Sequence, residues 1–290
     1  MSLVELDFTE STDLFVVPED TGPVIPRASI NRDAFFGDDM ASVPVPSIRL
    51  EHPDHSTVFG KNVSVRVFAT TMQTSVFDSD EEEYTNMSQH FVRFGDKALD
   101  WQGGNKCGWI PSKQREKLKA EDPVAYARAS KVKLYRHLFG MMTMTDAVKA
   151  GSDPVEFDPI PFRMRLGPSN FYEIGKVVGE LAKQNRQHFN YNLELSYGVE
   201  KRGSNQWFVL KYKPLLDDKI DISQDDKDTL AVFQEVIKKE NDSVTERMRE
   251  NIGGSNLGSE FIDITPSKES RLQQKEDRLT KKEERLQNSG

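Results

Sequence analysis

A single cysteine, Cys107, stands in a chain of 290 residues. That excludes an internal disulfide framework and suits a reducing compartment. Histidine is scarce as well, at five residues. His52 and His55, in "HPDH", have no nearby cysteine or third histidine to complete a tetrahedral zinc site. "DSDEEEY" (78–84) begins like a calcium loop. It carries Glu83 where the turn needs glycine, however, and Gln89 where a bidentate glutamate belongs. Long apolar runs are missing, so nothing approaches the ~20 residues that cross a bilayer. The opening "MSLVELDFTE" has neither the basic nor the apolar region of a signal peptide. Phosphate-loop, dinucleotide and nucleophile-elbow motifs are all absent. Cys107 sits beside Lys106 with no histidine partner legible in the sequence, so it reads as an idle thiol. The expectation is a soluble intracellular protein without cofactor, metal or catalytic role.

What is present is charge, unevenly spread. Hydrophobic residues make up 36% of the chain, enough for one moderate core, and charged residues 30%. The net charge of −8 argues against a nucleic-acid binder until it is divided along the chain. Residues 1–60 hold 3 basic and 11 acidic residues, and 214–290 hold 13 and 18. Residues 61–213 hold 23 and 18, a net of +5, although five of those acids sit together at Asp78, Asp80, Glu81, Glu82 and Glu83. A basic body therefore lies between two acidic arms.

Texture divides the chain at similar places. Residues 1–60 are rich in proline and acid and lack a strong period, which predicts an extended arm anchored at "AFFG" (34–37) and "PSIRLE" (46–51). Residues 215–252 read as an acidic amphipathic helix, with Leu230, Phe233 and Ile237 spaced by three and four and Ser223 as its start signal. Residues 253–290 open with the flexible "GGSNLGS" and continue into a charged tail. There Leu272, Leu279 and Leu286 recur every seven residues, which leaves open a helical homo-oligomerising segment against a solvated helix or disorder.

The middle segment, 61–214, has a readable order. "NVSVRVFATTMQTSVF" (62–77) and "YTNMSQHFVRF" (84–94) read as strands, followed by a polar insertion with short helices on either side of Pro123. Strands at 131–144 and 160–167 come next. A helix with the stripe Ile174, Val177, Val178 and Leu181 leads to two closing strands at 191–200 and 207–214. The class expected is mainly β with added helices. Apart from the extras, the order matches an OB-like five-stranded barrel, with its helix between the third and fourth strands.

Particular stretches carry a likeness: "VRVF", the F-x-R-F end of the second strand (91–94), "KLYRHLFG", "FRMRLGPSNFYEI" and the closing "KRGSNQWFVLKY". Through them the segment resembles the OB-fold single-stranded DNA-binding proteins of bacteriophages. The resemblance covers about half the chain. It implies non-specific coating of single-stranded DNA during phage replication or recombination, in the host cell cytoplasm. Replication proteins would be met through the acidic C-terminal region. Two features depart from that pattern, the acidic 78–83 turn and the mixed-charge end "EERLQNSG".

The residues support the same expectation independently, since strand binding needs cations for phosphates and aromatic faces for bases. Lys131, Lys133, Tyr135 and Phe139 alternate on one strand, with Arg136 interrupting the opposite face. Arg163 and Arg165 follow on the next. Lys201 and Arg202 mark the last turn, and Trp207, Lys211 and Lys213 share a face beyond it. Phe208, Leu210 and Tyr212 fall on the other face, which predicts that Tyr212 is core. Ordinary strand aromatics with lysines that blunt a sheet edge are the plainer reading. A scaffolding module that works through its acidic arms is the alternative function.

Overall fold

The computed structural model describes residues 24–38, 40–52 and 56–254. Apolar–polar alternation in "RASIN", "SIRLE" and "TVFG" forms β1 (Arg27–Asn31), β4 (Ser47–Glu51) and β5 (Thr57–Gly60). A small separate ladder of β2 (Phe35–Phe36) and β3 (Ala41–Ser42) lies between them. Ala28, Ile48, Leu50 and Val58 are buried in the main core. The extended acidic arm expected over 1–60 is therefore corrected for its described part. Pro44 and Pro46 fall between strands, where no ladder hydrogen bond is lost, and the short strands between prolines bury their apolar minority.

Val63, Val65 and Val67 open β6 (Val63–Asp78), a strand of 16 residues that organises the sheet. Its far end turns through the acidic run into β7 (Glu83–Met87), much shorter than the strand expected over 84–94. The chain after Met87 is instead organised by Asp100, 2% exposed, which accepts hydrogen bonds from the amides of Gln102, Gly104 and Cys107. Two helices follow, α1 (Ser112–Glu121) and α2 (Pro123–Lys131). Asp122 caps the second by accepting from the Val124 and Ala125 amides. Then come β8 (Val132–Met144), β9 (Val148–Lys149), β10 (Ile160–Leu166), α3 (Phe171–Lys183), β11 (Leu193–Arg202), β12 (Asn205–Pro214) and α4 (Gln224–Gly254).

Ten strands form one mixed sheet in the order β12-β11-β6-β8-β10-β1-β4-β5-β9, with β7 on the far end of β6. Among the described strands only β1 and β10 pair in parallel. The described residues are mainly β with four α-helices, the class that the sequence predicts, but the sheet is open and has twice the strands of the expected barrel. The added strands come from residues 24–60, which the sequence reading placed outside the body. The sheet curls around one core that draws on both wings, from Ile48 and Leu50 to Leu210 and Tyr212, with Ile174 of α3 packed in. Tyr197 of β11 reaches across to the Gly60 carbonyl at the end of β5, 3.4 Å away. That contact brings the wings together without a backbone ladder.

β6 and β8 pair along almost their whole lengths, with a register shift between Val67 and Ala69 that leaves Phe68 extra. Gly140 stands opposite this bulge. A Cβ there would lie 2.0 Å from the Arg66 carbonyl oxygen, so only glycine lets the two backbones approach.

The bulge turns Phe68 towards α4. Phe68, Phe139 and Ile25 form a second apolar cluster with Val232, Phe233 and Val236 of that helix. Ser223 and Asp226 close a reciprocal cap at its start, each side chain bonding the other's amide. Asp226 also takes both terminal nitrogens of Arg66 at 3.1 and 2.9 Å. No described helix is long and apolar enough to cross a membrane. The 253–290 tail from Ser255 onward, with its heptad leucines, and residues 1–23 lie outside the described residues.

Candidate functional site

Strand alternation fixes which side chains share the face turned to α4. Along β8 these are Lys133, Tyr135, His137 and Phe139, while Leu138 and Met142 point into the core. Register carries the same face sideways, from Phe139 to Arg163, Arg27 and Glu51 across β10, β1 and β4. His137 likewise stands opposite Thr71 on one side and Arg165 on the other. This face is basic and aromatic, as the sequence implies, but α4 lies over it.

Between the C-terminal half of α4 and the sheet a cavity of about 490 Å³ remains. Arg27, Arg163 and Arg165 line one side, Trp101 and Met87 another, with His137 and Gln73 at its floor and Glu240 on the helix. Glu240 is shared between two partners. One carboxylate oxygen lies 2.5 Å from Nη1 of Arg163, the other 2.7 Å from Nε2 of His90. Burial opposes ionisation of Glu240, yet the hydrogen bond with His90 and the positive charge of Arg163 outweigh it and hold the carboxyl at about 2. His90 is braced on its other side by Thr71 Oγ1, 2.8 Å from Nδ1.

Arg165 is held differently. Its guanidinium lies 3.6 Å from the centre of the Tyr135 ring and donates to Tyr84 Oη and Ser75 Oγ at 2.8 and 3.1 Å. Among the described residues neither Arg165 nor Arg27 has a carboxylate partner. Burial, aided by His90 and Arg165, pushes His137 well below the usual imidazole value, so its ring is neutral. Its Nε2 has no hydrogen-bond partner among the described residues.

A second surface is the β11–β12 hairpin. Its strands pair along ten positions, but only Leu193 and Glu194 at its base bond to β6, so the rest extends beyond that ladder while Leu195, Leu210 and Tyr212 stay packed in the core. Gly203, at φ +62, starts the two-residue turn at its tip. Lys201, Lys211 and Lys213 are exposed and Trp207 is half-buried, its indole Nε1 shielded and without a partner among the described residues. Tyr212 and Leu210 are buried in the core on the opposite face. Lys211 pairs with Glu173 and Lys213 with Glu194, both at the surface. The acidic 78–83 turn lies at the other end of β6 from this hairpin.

The expected site residues thus divide. Lys133, Tyr135, Arg163 and Arg165 share one face; Lys201, Trp207, Lys211 and Lys213 share the hairpin; Lys131 is exposed at the end of α2. Two are corrected. Phe139 has no exposed surface, because Phe233 and Phe68 pack against it. Arg136 faces α3, its guanidinium 4.6 Å from the Phe171 ring. The Arg202 side chain lies outside the described residues. The sequence reading did not anticipate Arg27, Trp101 or Glu240. Glu240 had a legible signal: a carboxylate seven residues after Phe233 falls on the apolar stripe of its helix.

Among the described residues no group of three or more His, Cys, Asp or Glu side chains could hold a metal ion. Comparison with family models, with curated proteins and with solved structures finds no match for this chain.

Proposed function

We propose that the protein binds single-stranded DNA without sequence preference, in the coating role that a resemblance to phage OB-fold proteins implies. The projecting β11–β12 hairpin carries this reading. One of its faces is committed to the core through Leu210 and Tyr212, while the other offers Trp207 beside Lys211 and Lys213, with Lys201 towards the tip. A ring for bases and cations for phosphates on the outer face of one ribbon is what stacking and phosphate attraction require. α1 adds Lys113, Lys117 and Lys119, all exposed, on a helix that buries no residue of its own. The acidic turn, which would repel phosphate, stands at the opposite end of β6.

The test is a tryptophan-fluorescence titration of the whole chain with oligo-dT and a matched duplex at two salt concentrations. The fragment 61–214 is no substitute, because it lacks Ile48, Leu50 and Phe233, which complete the two apolar clusters. Single strands should bind more tightly than duplex, with a log–log salt slope of about −0.7 per phosphate neutralised. Folded protein that ignores oligo-dT at low salt would sink the reading.

A further inference from the structure

The geometry points to the cavity beneath the C-terminal half of α4 as a binding site for a nucleoside phosphate, taken up as a free nucleotide or as the 5′-terminal nucleotide of a strand. This does not rest on strand binding by the hairpin, which is a separate surface.

Four observations converge there. The charge is unbalanced: Glu51 is paired with Arg49 and Glu240 with Arg163, which leaves Arg27 and Arg165 without carboxylates among the described residues. Two guanidinium groups in one cleft are the usual partners of a phosphate. His137 is the second observation. It is nine-tenths buried at the floor of the cleft, its enclosed Nε2 has no hydrogen-bond partner among the described residues, and a polar group reaching this floor would offset that cost. The third is size. At about 490 Å³ the cleft far exceeds a phosphate ion and falls within the ~300–1,000 Å³ of small-molecule sites. The fourth is the wall that the extra space adjoins. Trp101 is fixed by its backbone, its amide bonded to Met87 O and Asn86 Oδ1 and its carbonyl accepting from Asn251. Arg247 covers one face of its indole at 4.5 Å, so the aromatic wall offered to a base is the remaining face.

Glu240 is a resident competitor in this arrangement. Its carboxylate holds Arg163, the third guanidinium of the cleft, in the way an incoming phosphate would. Entry of the ligand exchanges one anion for another, with the helix backbone held in place by the Phe233 cluster.

The experiment is calorimetric titration of the whole chain with thymidine 5′-monophosphate, thymidine, inorganic phosphate, and (dT)4 with and without a 5′-phosphate. Thymidine 5′-monophosphate or the phosphorylated tetramer should bind at least tenfold more tightly than its unphosphorylated counterpart. Whichever binds better identifies the source. Arg27→Ala, at an exposed side chain with no carboxylate partner among the described residues, should weaken binding about tenfold. Glu240→Gln should tighten it, because the competing charge is gone. Three results overturn the proposal: no binding of any phosphorylated probe, equal binding of inorganic phosphate alone, or affinity indifferent to both substitutions. Binding of a long, unphosphorylated oligo-dT in the same protein separates that outcome from a failure of the hairpin reading.

Discussion

The two halves of α4 meet the same sheet on different terms. The N-terminal half presses Val232, Phe233 and Val236 into Phe68 and Phe139 and locks Asp226 onto Arg66, side chains 13% and 10% exposed. The C-terminal half meets β10 and the chain after β7 largely through polar side chains. Glu240, Asn241 and Thr245 bond to Arg163, His90 and Gln89, and Arg247 lies over Trp101. Dispersion and area burial hold the first half, where every removed atom leaves a void. Hydrogen bonds that water can replace hold much of the second. One helix therefore serves as part of the core at one end and as the roof of a cleft at the other.

Substitutions should separate the halves, most strongly at Phe233. Phe233→Ala should cost ~3–5 kcal/mol in denaturant unfolding, whereas Val244→Ala, buried in the second half, should cost about 1.6 kcal/mol for its two lost methyl groups. Equal costs would mean that the cleft end is packed as firmly as the anchor. Next comes Asp226→Ala, expected to cost ~3 kcal/mol because it strands a mostly buried guanidinium and removes a helix cap. A midpoint within experimental error of the parent would show that the ion pair merely breaks even.

The hairpin supplies a control away from α4. Tyr212→Ala should destabilise by ~3–5 kcal/mol, while Trp207→Ala should unfold near the parent midpoint and lose ~1–3 kcal/mol of oligo-dT binding. An early-unfolding Trp207→Ala protein would return the strand to ordinary edge protection.

The smallest effect is a pH dependence. In the folded protein the Glu240 carboxyl is depressed from 4.5 to about 2, and Asp226 is depressed below 3.8. Depressed carboxyls contribute stability that is present above their unfolded values and lost as pH falls through the folded ones. Melting temperature should thus decline between pH 4.5 and about 2, and Glu240→Gln should flatten part of that slope. Glu240 is 35% exposed, so solvent screening keeps its share small. An unchanged slope in the variant would place the acid sensitivity at Asp226 and elsewhere.

Much of the middle of this fold was legible. Alternation set β8, β10, β11 and β12 within a residue or two, and the stripe of α3 gave Ile174 and Leu181 as buried. Parity along β12 separated Tyr212 from Trp207. The strands of residues 27–60 were not legible, because runs of two to five residues between prolines are too short to show a period. Their inward residues count only once the long β6 and β10 supply something to pack on. The cleft escaped for a related reason. Arg27, Arg163 and Glu240 come from two strands and a helix far apart in sequence, and parallel pairing of β1 with β10 juxtaposes the two arginines. Phe139 was misread because strand alternation gives a face but not what covers it.

The cluster around Phe233 also orders events in time. Its members include Ile25, Phe68, Phe139 and Phe233, drawn from near both ends of the described chain. During synthesis the first three leave the ribosome long before the fourth exists. The nascent sheet therefore carries an exposed aromatic patch until α4 emerges, and contacts of such long sequence separation form slowly.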